Sequence, residues 1–492
     1  MAKGPMTDYE TLSAPAIAAG IRKGFFSAWE VTRAALEYIE RSEPRINAFV
    51  HLAPDVALAN ASALDAKRAR GEDLGELGGV PISIKDLYHV VDMPTSFGSP
   101  IFAGQVAKQD SLPVARLRSA NTVIIGKTTL PEFAHKSFTD AALFGITRNP
   151  WNPAYTSGGS SGGSAASVAA GQTRISLGSD GGGSIRTPVS TCGVFGIKGT
   201  MGIIPELAPN VFARNSYSGP IARTLAELRL GHDVLKGMHS DDPWSLANVR
   251  PAPTPPVSDL RVGFALTVGN SVVETDVENA FESARQAFAR AGAQVTDVEL
   301  NVMRYDLALR THWETQLAAR IAPLLDKHRD QIEPALLRKV ERGLAHSALT
   351  YVEMMHTRAA LFRDVQAIFE HVDIVVTPTL AAAGMPADGD FAEVFINGVS
   401  AGHSREGWHP YTWPFNLTGH PALSIPCGWA RNNLPIGLQM IGRWYADDLL
   451  MDVAGEVGEV LGVEQRTCFR AVAPHAVSAP SHDNKPQDFG TR

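Results

Sequence analysis

The segment from Tyr155 to Arg186, YTSGGSSGGSAASVAAGQTRISLGSDGGGSIR, constrains what this 492-residue chain can fold into more than any other stretch. Two serine-centred glycine loops, GGSSGG and DGGGS, flank the spacer SAASVAAGQTRISLGSD. A solvated glycine–serine linker has no use for Val168, Ile175 and Leu177, so the spacer reads as ordered. The two loops are then held within folding reach of each other. Glycine places no Cβ against the main chain, so each loop offers unhindered N–H groups beside a hydroxyl. A hydroxyl nucleophile next to an N–H cradle points to acyl transfer.

Composition narrows the setting. With 44% hydrophobic and 19% charged residues the chain can bury a large core. Its formal net charge of −7 comes without a basic cluster, which argues against a nucleic-acid partner. The three cysteines, Cys192, Cys427 and Cys468, are an odd and small number for so long a chain and fit a reducing compartment better than a disulfide framework, and without CxxC spacing they exclude a zinc ribbon. The opening MAKGPMTDYE lacks the apolar run of a secretory signal, and no stretch of about 18 apolar residues is long enough to span a bilayer. The expectation is a soluble cytoplasmic enzyme without a membrane partner.

Alternating patterns give an α/β class. Ser27 and Glu30 form a capping box ahead of the stripe Val31, Ala34, Ala35, Tyr38 and Ile39, which Pro44 is expected to end. Short apolar runs at Val80–Leu87, Thr122–Lys127, Val372–Leu380, Ala422–Gly428 and Ile436–Gly442 read as buried strands. Residues 305–371 carry apolar side chains at three- and four-residue spacing and read as helices, and RWYADDLLMDVAGEVGEVLG as a closing helix. Pro-rich Arg250–Asp259 reads as a surface connection, and the polar tail 471–492 as disordered.

Three blocks carry a resemblance. GGSSGGSAASVAAG…LGSDGGGSIRTPVSTCGVFGIKGTMGIIP, GVPISIKDL with MPTSFGSP, and WPFNLTGHPALSIPCG…NLPIGLQMIGR together resemble the amidase signature family over about residues 5–470. The resemblance implies one domain over 1–470: N-terminal helices at about 8–70, a signature core at about 71–230 and a variable helical region at about 300–370. It implies a central twisted mixed β-sheet covered by α-helices. It also implies a cofactor-independent Ser–Ser–Lys triad, with Ser184 matching the nucleophile, Ser160 the bridging serine and Lys85 the base. The separations of 75 and 24 residues match the family without insertion or deletion.

The chemistry needs these residue types. A serine hydroxyl attacks only when something takes its proton. Lysine can do so only when neutral, which at pH 7 requires lowering its reference pKa by about 3 units, about 4 kcal/mol. Ile82 and Ile84 beside Lys85 make such desolvation plausible. Ser160 can accept from one partner and donate to the other. Gly181, Gly182 and Gly183 are expected to turn N–H groups toward an oxyanion. Gly181 stands where the family more often carries Thr or another branched residue. Asp180 and Arg186 are expected to brace the loop.

Other readings compete with this one. GGSSG also satisfies the nucleophile elbow of α/β-hydrolases, with Ser160 as nucleophile and His403, His409 or His420 as partner; that elbow must follow a buried strand, and RNPWNPAYTS is a poor one. A tRNA-dependent amidotransferase's amide-cleaving component (its A chain) is the alternative within the family, although HPYTWPFNLTGHPALS departs from the pattern expected there. Cys192 and Cys427 read as small buried residues, and the fifteen histidines show no metal-ligand spacing. Trp408, Tyr411, Trp413 and Phe415, with Phe133, Phe138 and Phe144, are candidates for an acyl or aryl pocket, as are segments 206–220, 300–365 and 383–412. The sequence thus points to an amidase acting on a small-molecule amide, anilide or carbamate, with no cofactor or metal; a homodimer is left open.

Overall fold

The apolar runs assemble into a single mixed sheet of eleven strands in the computed structural model, which describes residues 9–207, 209, 211–246, 253–389 and 392–462. In chain order the strands are β1 (Phe49–Leu52), β2 (Pro81–Lys85), β3 (Val123–Thr128), β4 (Ile175–Asp180), β5 (Phe195–Lys198), β6 (Tyr217–Ala222), β7 (Arg261–Phe264), β8 (Gln294–Asp297), β9 (Ile374–Pro378), β10 (Ala422–Trp429) and β11 (Pro435–Gly442). Across the sheet they run β1-β3-β2-β4-β6-β5-β10-β11-β9-β7-β8. β2 pairs in parallel with both β3 and β4, whereas β6, β5, β10 and β11 pair antiparallel with their neighbours. Every residue of β2 to β6 is buried, which is why these strands read as continuous apolar or small-residue runs rather than alternating ones.

The helices that matter for the site are α1 (Ala28–Ile46), α2 (Gly162–Ala169), α3 (Arg186–Cys192), α4 (Asp306–Ile321), α5 (Pro334–Ala345), α6 (Ala348–Ile368), α7 (Pro414–Thr418) and α8 (Asp447–Leu461). The Ser27–Glu30 capping box of α1 is formed in both directions. Pro44 does not end this helix. It lies inside the last turn, and Asn47 closes the helix in the left-handed region with φ 56°. Asparagine tolerates that conformation better than most side chains, and it is the true stop signal. The expected helices at 305–371 are α4, α5 and α6. Leu336 and Val340 of α5 pack on Leu317 and Ile321 of α4. A Cβ on Gly343 would run into the Glu314 carbonyl, so glycine lets α4 and α5 approach closely.

Six strands, β1, β4, β5, β6, β7 and β8, are not among the apolar runs read from the sequence. β7 and β8 lie beyond the Pro-rich connection, yet they extend the same sheet, so one sheet includes strands from both sides of that connection. β6 contains Gly219 and Pro220 in its middle and is nevertheless central, pairing with β4 on one side and β5 on the other. The tail 471–492, Cys468 and residues 250–252 lie outside the described residues. Among the described residues no helix is long and apolar enough to cross a membrane.

Candidate active site

Lys85 is the last residue of β2 and is fully buried. Its Nζ lies 2.7 Å from Ser160 Oγ, 2.9 Å from Ser161 Oγ and 2.9 Å from Ser179 Oγ. No carboxylate among the described residues lies within ion-pair distance of it. Burial pushes its pKa well below the usual lysine range, with the Asp180 charge pulling the other way. The neighbouring strand supplies a contrast. Lys127 of β3 is equally buried but sits 2.7 Å from Asp86, to which Ser96 also donates. One buried lysine has a counter-ion and the other has only hydroxyls.

Ser160 sits in the loop before α2, after a cis Gly159–Ser160 peptide. That loop is pressed against its neighbours: a Cβ on Gly159 would lie 2.8 Å from Phe138 N and Ser137 C. Ser184 lies in the turn between β4 and α3, and its carbonyl accepts from Ser161 N at 3.1 Å. This bond draws the two glycine loops together, in keeping with their closeness in sequence. The Ser184 hydroxyl has no hydrogen-bond partner among the described residues. Together with Gly181 and Gly182 it lines a cavity of about 710 Å³.

Asp180 and Arg186 shape the turn. Asp180 ends β4 fully buried and accepts from Gly183 N at 2.7 Å, Ile185 N at 3.2 Å and Asn416 Nδ2 at 2.9 Å. Arg186 meets both of its oxygens at 2.9 Å. Its other donors reach Thr412 O at 2.8 Å, Gln439 Oε1 at 2.7 Å and Asn416 Oδ1 at 2.7 Å, so all five N–H groups of the guanidinium are used. Burial alone would raise the Asp180 carboxyl, but Arg186, Asn416 and the Gly183 N–H hold it well below the usual carboxylate range.

The cradle differs from the sequence expectation at Gly183. Its N–H is taken by Asp180, which leaves the N–H groups of Gly181 and Gly182 without a hydrogen-bond partner among the described residues. Gly183 has φ +120°, and a Cβ there would run into the Thr412 hydroxyl, so its glycine is a backbone requirement. The aromatic expectation also needs correction. Trp408, Tyr411, Trp413 and Phe415 are fully buried in a core cluster, their polar edges partly tied to main chain, as Trp408 Nε1 is to Ala382 O at 2.9 Å. Phe133 packs with Phe97 and Phe102. The aromatic side chains that do line the cavity are Phe138, Trp313 and the imidazoles of His135, His403 and His409. Among the described residues, lining residues come from 309–342 and 389–409 but not from 206–220.

Among the described residues no histidine reaches Ser160. His409 Nε2 is 2.8 Å from Ser137 Oγ, His403 Nδ1 accepts from Arg405 N at 3.1 Å, and His420 lies between Thr418 and Gln366. No strand immediately precedes Ser160 either, so the elbow reading has neither its base nor its geometry. Cys192 and Cys427 are buried and not disulfide-bonded; burial pushes the Cys427 thiol up to about 12, far from nucleophilic.

The model of the amidase family matches residues 30–451. The chain belongs to the amidase signature family. The glutamyl-tRNA(Gln) amidotransferase A chain of Salinispora arenicola (strain CNS-205) is 33% identical over 497 residues, covering 93% of this chain and 99% of that protein. Its counterpart in Chloroflexus aurantiacus (strain ATCC 29366 / DSM 635 / J-10-fl) is 34% identical over 484 residues, covering 91% and 96%. Among solved structures, a bacterial aryl acylamidase of the amidase signature family has a TM-score of 0.84 at 28% identity, over 92% of this chain and 98% of that one. A 6-aminohexanoate cyclic dimer hydrolase complexed with substrate has a TM-score of 0.83 at 26% identity, over 94% and 100%. The chain is an α/β amidohydrolase that cleaves C–N bonds.

The structure gives Gly181 a packing reason to be glycine. A Cβ at that position would lie 2.8 and 3.1 Å from two ring carbons of Trp313 on α4. The indole occupies the space a branched residue would use. Sequence reasoning finds Lys85, Ser160, Asp180, Ser184 and Arg186 but misses Ser161, Ser179, Thr412, Asn416, Gln439 and Trp313. Asn416 lies in the WPFN block that carries the resemblance, so a signal exists for it. Trp313, about 130 residues from Gly181, gives none.

Proposed function

We propose that this amidase cleaves a linear carboxylic amide through an acyl-enzyme on Ser184, with Ser160 and Lys85 moving the proton. The observation that carries the reading is the Lys85 amine, 2.7 Å from Ser160 Oγ in a dry interior with no carboxylate at ion-pair distance among the described residues. A neutral amine has two N–H donors and one lone pair. Three hydroxyls surround it, so Ser161 and Ser179 accept while Ser160 donates into the lone pair. That leaves the Ser160 oxygen free to accept the proton of Ser184.

In the first step Ser184 Oγ bonds to the amide carbon as its proton passes to Ser160 and the Ser160 proton passes to Lys85. The carbonyl oxygen becomes an oxyanion facing the free N–H groups of Gly181 and Gly182, each such donor being worth about 3–4 kcal/mol. The resulting ammonium is solvated by the three hydroxyls and by the Asp180 charge. The same relay in reverse protonates the leaving nitrogen, the C–N bond breaks, and the acyl group stays on Ser184. Water then repeats the attack and releases the acid. Asp180 and Arg186 act as positioning residues, holding the turn that presents Ser184. One sheet whose strands run from Phe49 to Gly442 supports reading residues 1–470 as one catalytic domain. Three cysteines, an odd and small number for a chain of 492 residues, support a reducing, cytoplasmic setting over a disulfide framework.

The test uses purified protein on a panel of aliphatic amides, p-nitroanilides and carbamates, with a fluorophosphonate probe. Ser184→Ala should abolish turnover and labelling together. Persistent labelling at Ser160 would sink the nucleophile assignment. The amidotransferase relatives at 33–34% identity favour a second reading, in which the ammonia released is handed to partner proteins. Copurification of a second polypeptide from the native host would select it over a free-standing amidase.

A further inference from the structure

Among the described residues, the Ser184 cavity carries more positive charge than its own carboxylates neutralise. Six Lys and Arg side chains line it. Four of them, Lys136, Arg310, Arg342 and Arg405, each meet a carboxylate at 2.6–2.7 Å: Glu333, Asp306, Glu314 and Asp306 again. The lining carboxylates are all engaged, since Asp140 pairs with Lys136 and Glu406 with Arg310. Lys339 and Arg338 remain, neighbours on α5, with no ion-pair partner among the described residues. Lys339 is half-buried and its Nζ donates only to His135 O at 2.8 Å. Arg338 is exposed at the mouth.

We propose that the substrate of this amidase carries a carboxylate, held by Lys339 inside the cavity and drawn in by Arg338 at its mouth. The inference rests on the reading of Ser184 as nucleophile. A cation kept in a partly dry cavity without a counter-ion is costly unless a ligand supplies one. The amine shows that cost: burial, then the nearby Arg405, lower its pKa to about 7 against the pull of Glu333, with Lys136 and Arg342 lowering it further. An anion beside it reverses the effect.

The chain also ties Lys339 to the same site. Its amine bonds to His135, and three residues on, Phe138 abuts the Gly159–Ser160 loop. Three residues span at most about 11 Å, so the Lys339 amine lies at most about 15 Å from that loop. A carboxylate a few carbons from the amide is within that reach. The carboxylate belongs either to the acyl half, as in the monoamide of a dicarboxylic acid, or to the amine half, as in an N-acyl amino acid.

Four substrates separate these sources: glutaramate with its neutral isostere 5-methylhexanamide, and N-acetyl-4-aminobutyrate with N-acetyl-4-methylpentylamine. The kcat/KM ratio within one pair should exceed about tenfold for the intact protein, and the pair that shows it tells which half bears the charge. Lys339→Met should bring that ratio close to one. Arg338→Gln, at an exposed position that keeps the fold, should lower it severalfold and flatten its dependence on salt. Glutarate should also protect Ser184 from fluorophosphonate labelling in the wild type and not in Lys339→Met. A ratio at or below one in both pairs, or a ratio that survives both substitutions, overturns the proposal. So does labelling of Ser184 without protection by glutarate when no substrate turns over. If neutral amides are hydrolysed without carboxylate preference, only this inference fails; if Ser184 does not react at all, the nucleophile assignment fails with it.

Discussion

Gly181 and Trp313 should behave as one unit. Gly181 is not among the glycines with positive φ, so its backbone admits any residue and only the indole stands in the way. Gly181→Ala places a methyl carbon 2.8 and 3.1 Å from two Trp313 carbons, where carbon pairs prefer about 3.5–4.0 Å. Overpacking of this kind costs about 1–3 kcal/mol. The strain falls on the turn that presents Ser184 and the free Gly181 and Gly182 N–H groups. If it appears in the transition state, kcat/KM should fall about 5- to 150-fold. Gly181→Thr should fall further. Trp313→Ala removes the obstacle, so the double variant should recover most of the loss, with a coupling energy of about 1–3 kcal/mol. The measurement is kcat/KM for the wild type, both single variants and the double variant, with thermal melts as a folding control. Full activity in Gly181→Ala, or simple additivity in the double variant, would refute the complementarity.

Gly183→Ala should lose activity more severely, since it combines φ +120° with a collision against Thr412; a kcat/KM within a few-fold of wild type would show that the loop adapts. Lys85→Arg keeps a permanent cation and should leave amide cleavage near background at every pH from 7 to 9, whereas the wild-type rate should fall as pH drops through the lowered Lys85 pKa. The same group has a signature in stability. Between its lowered folded pKa and the unfolded value near ~10.4, the unfolded chain binds the extra proton, so stability rises with pH; Lys85→Met should reduce that slope by up to one proton in denaturant titrations. Arg186→Met strands a buried Asp180 carboxylate and should cost about 3–5 kcal/mol in unfolding free energy, with an activity loss that urea melts and single-turnover assays can separate.

What could be read from the chain follows from how local each cause is. Helices α4 to α6 and strands β2, β3 and β9 to β11 announce themselves through apolar spacing, because burial of one face or of both is written residue by residue. The capping box of α1 is equally local. The strand β6 is not: Gly219 and Pro220 argue against it, and it exists because its neighbours β4 and β5 supply pairing on both sides. Pro44 misleads for the converse reason, since a proline in the last turn removes one N–H without preventing Asn47 from closing the helix. In the site, Lys85, Ser160 and Ser184 are legible through motif spacing. The aromatic block around Trp413 is misplaced by sequence alone, because composition cannot tell a core face from a cavity face. Ser161 and Ser179 give no separate signal, being two serines among many in a serine-rich tract.

The five bonds of Arg186 also set the order in which the enzyme comes into being. Thr412, Asn416 and Gln439 lie 226, 230 and 253 residues further along the chain. Contacts of that separation are late to form, because the intervening loop must first be closed. A nascent chain that has emerged only as far as α6 already contains Lys85, Ser160 and Ser184, yet nothing satisfies three of the five guanidinium donors that fix the Ser184 turn. Hydrolytic competence should therefore be a property of the finished polypeptide, and a truncation between α6 and β11 should yield a product that carries Lys85, Ser160 and Ser184 and is inert.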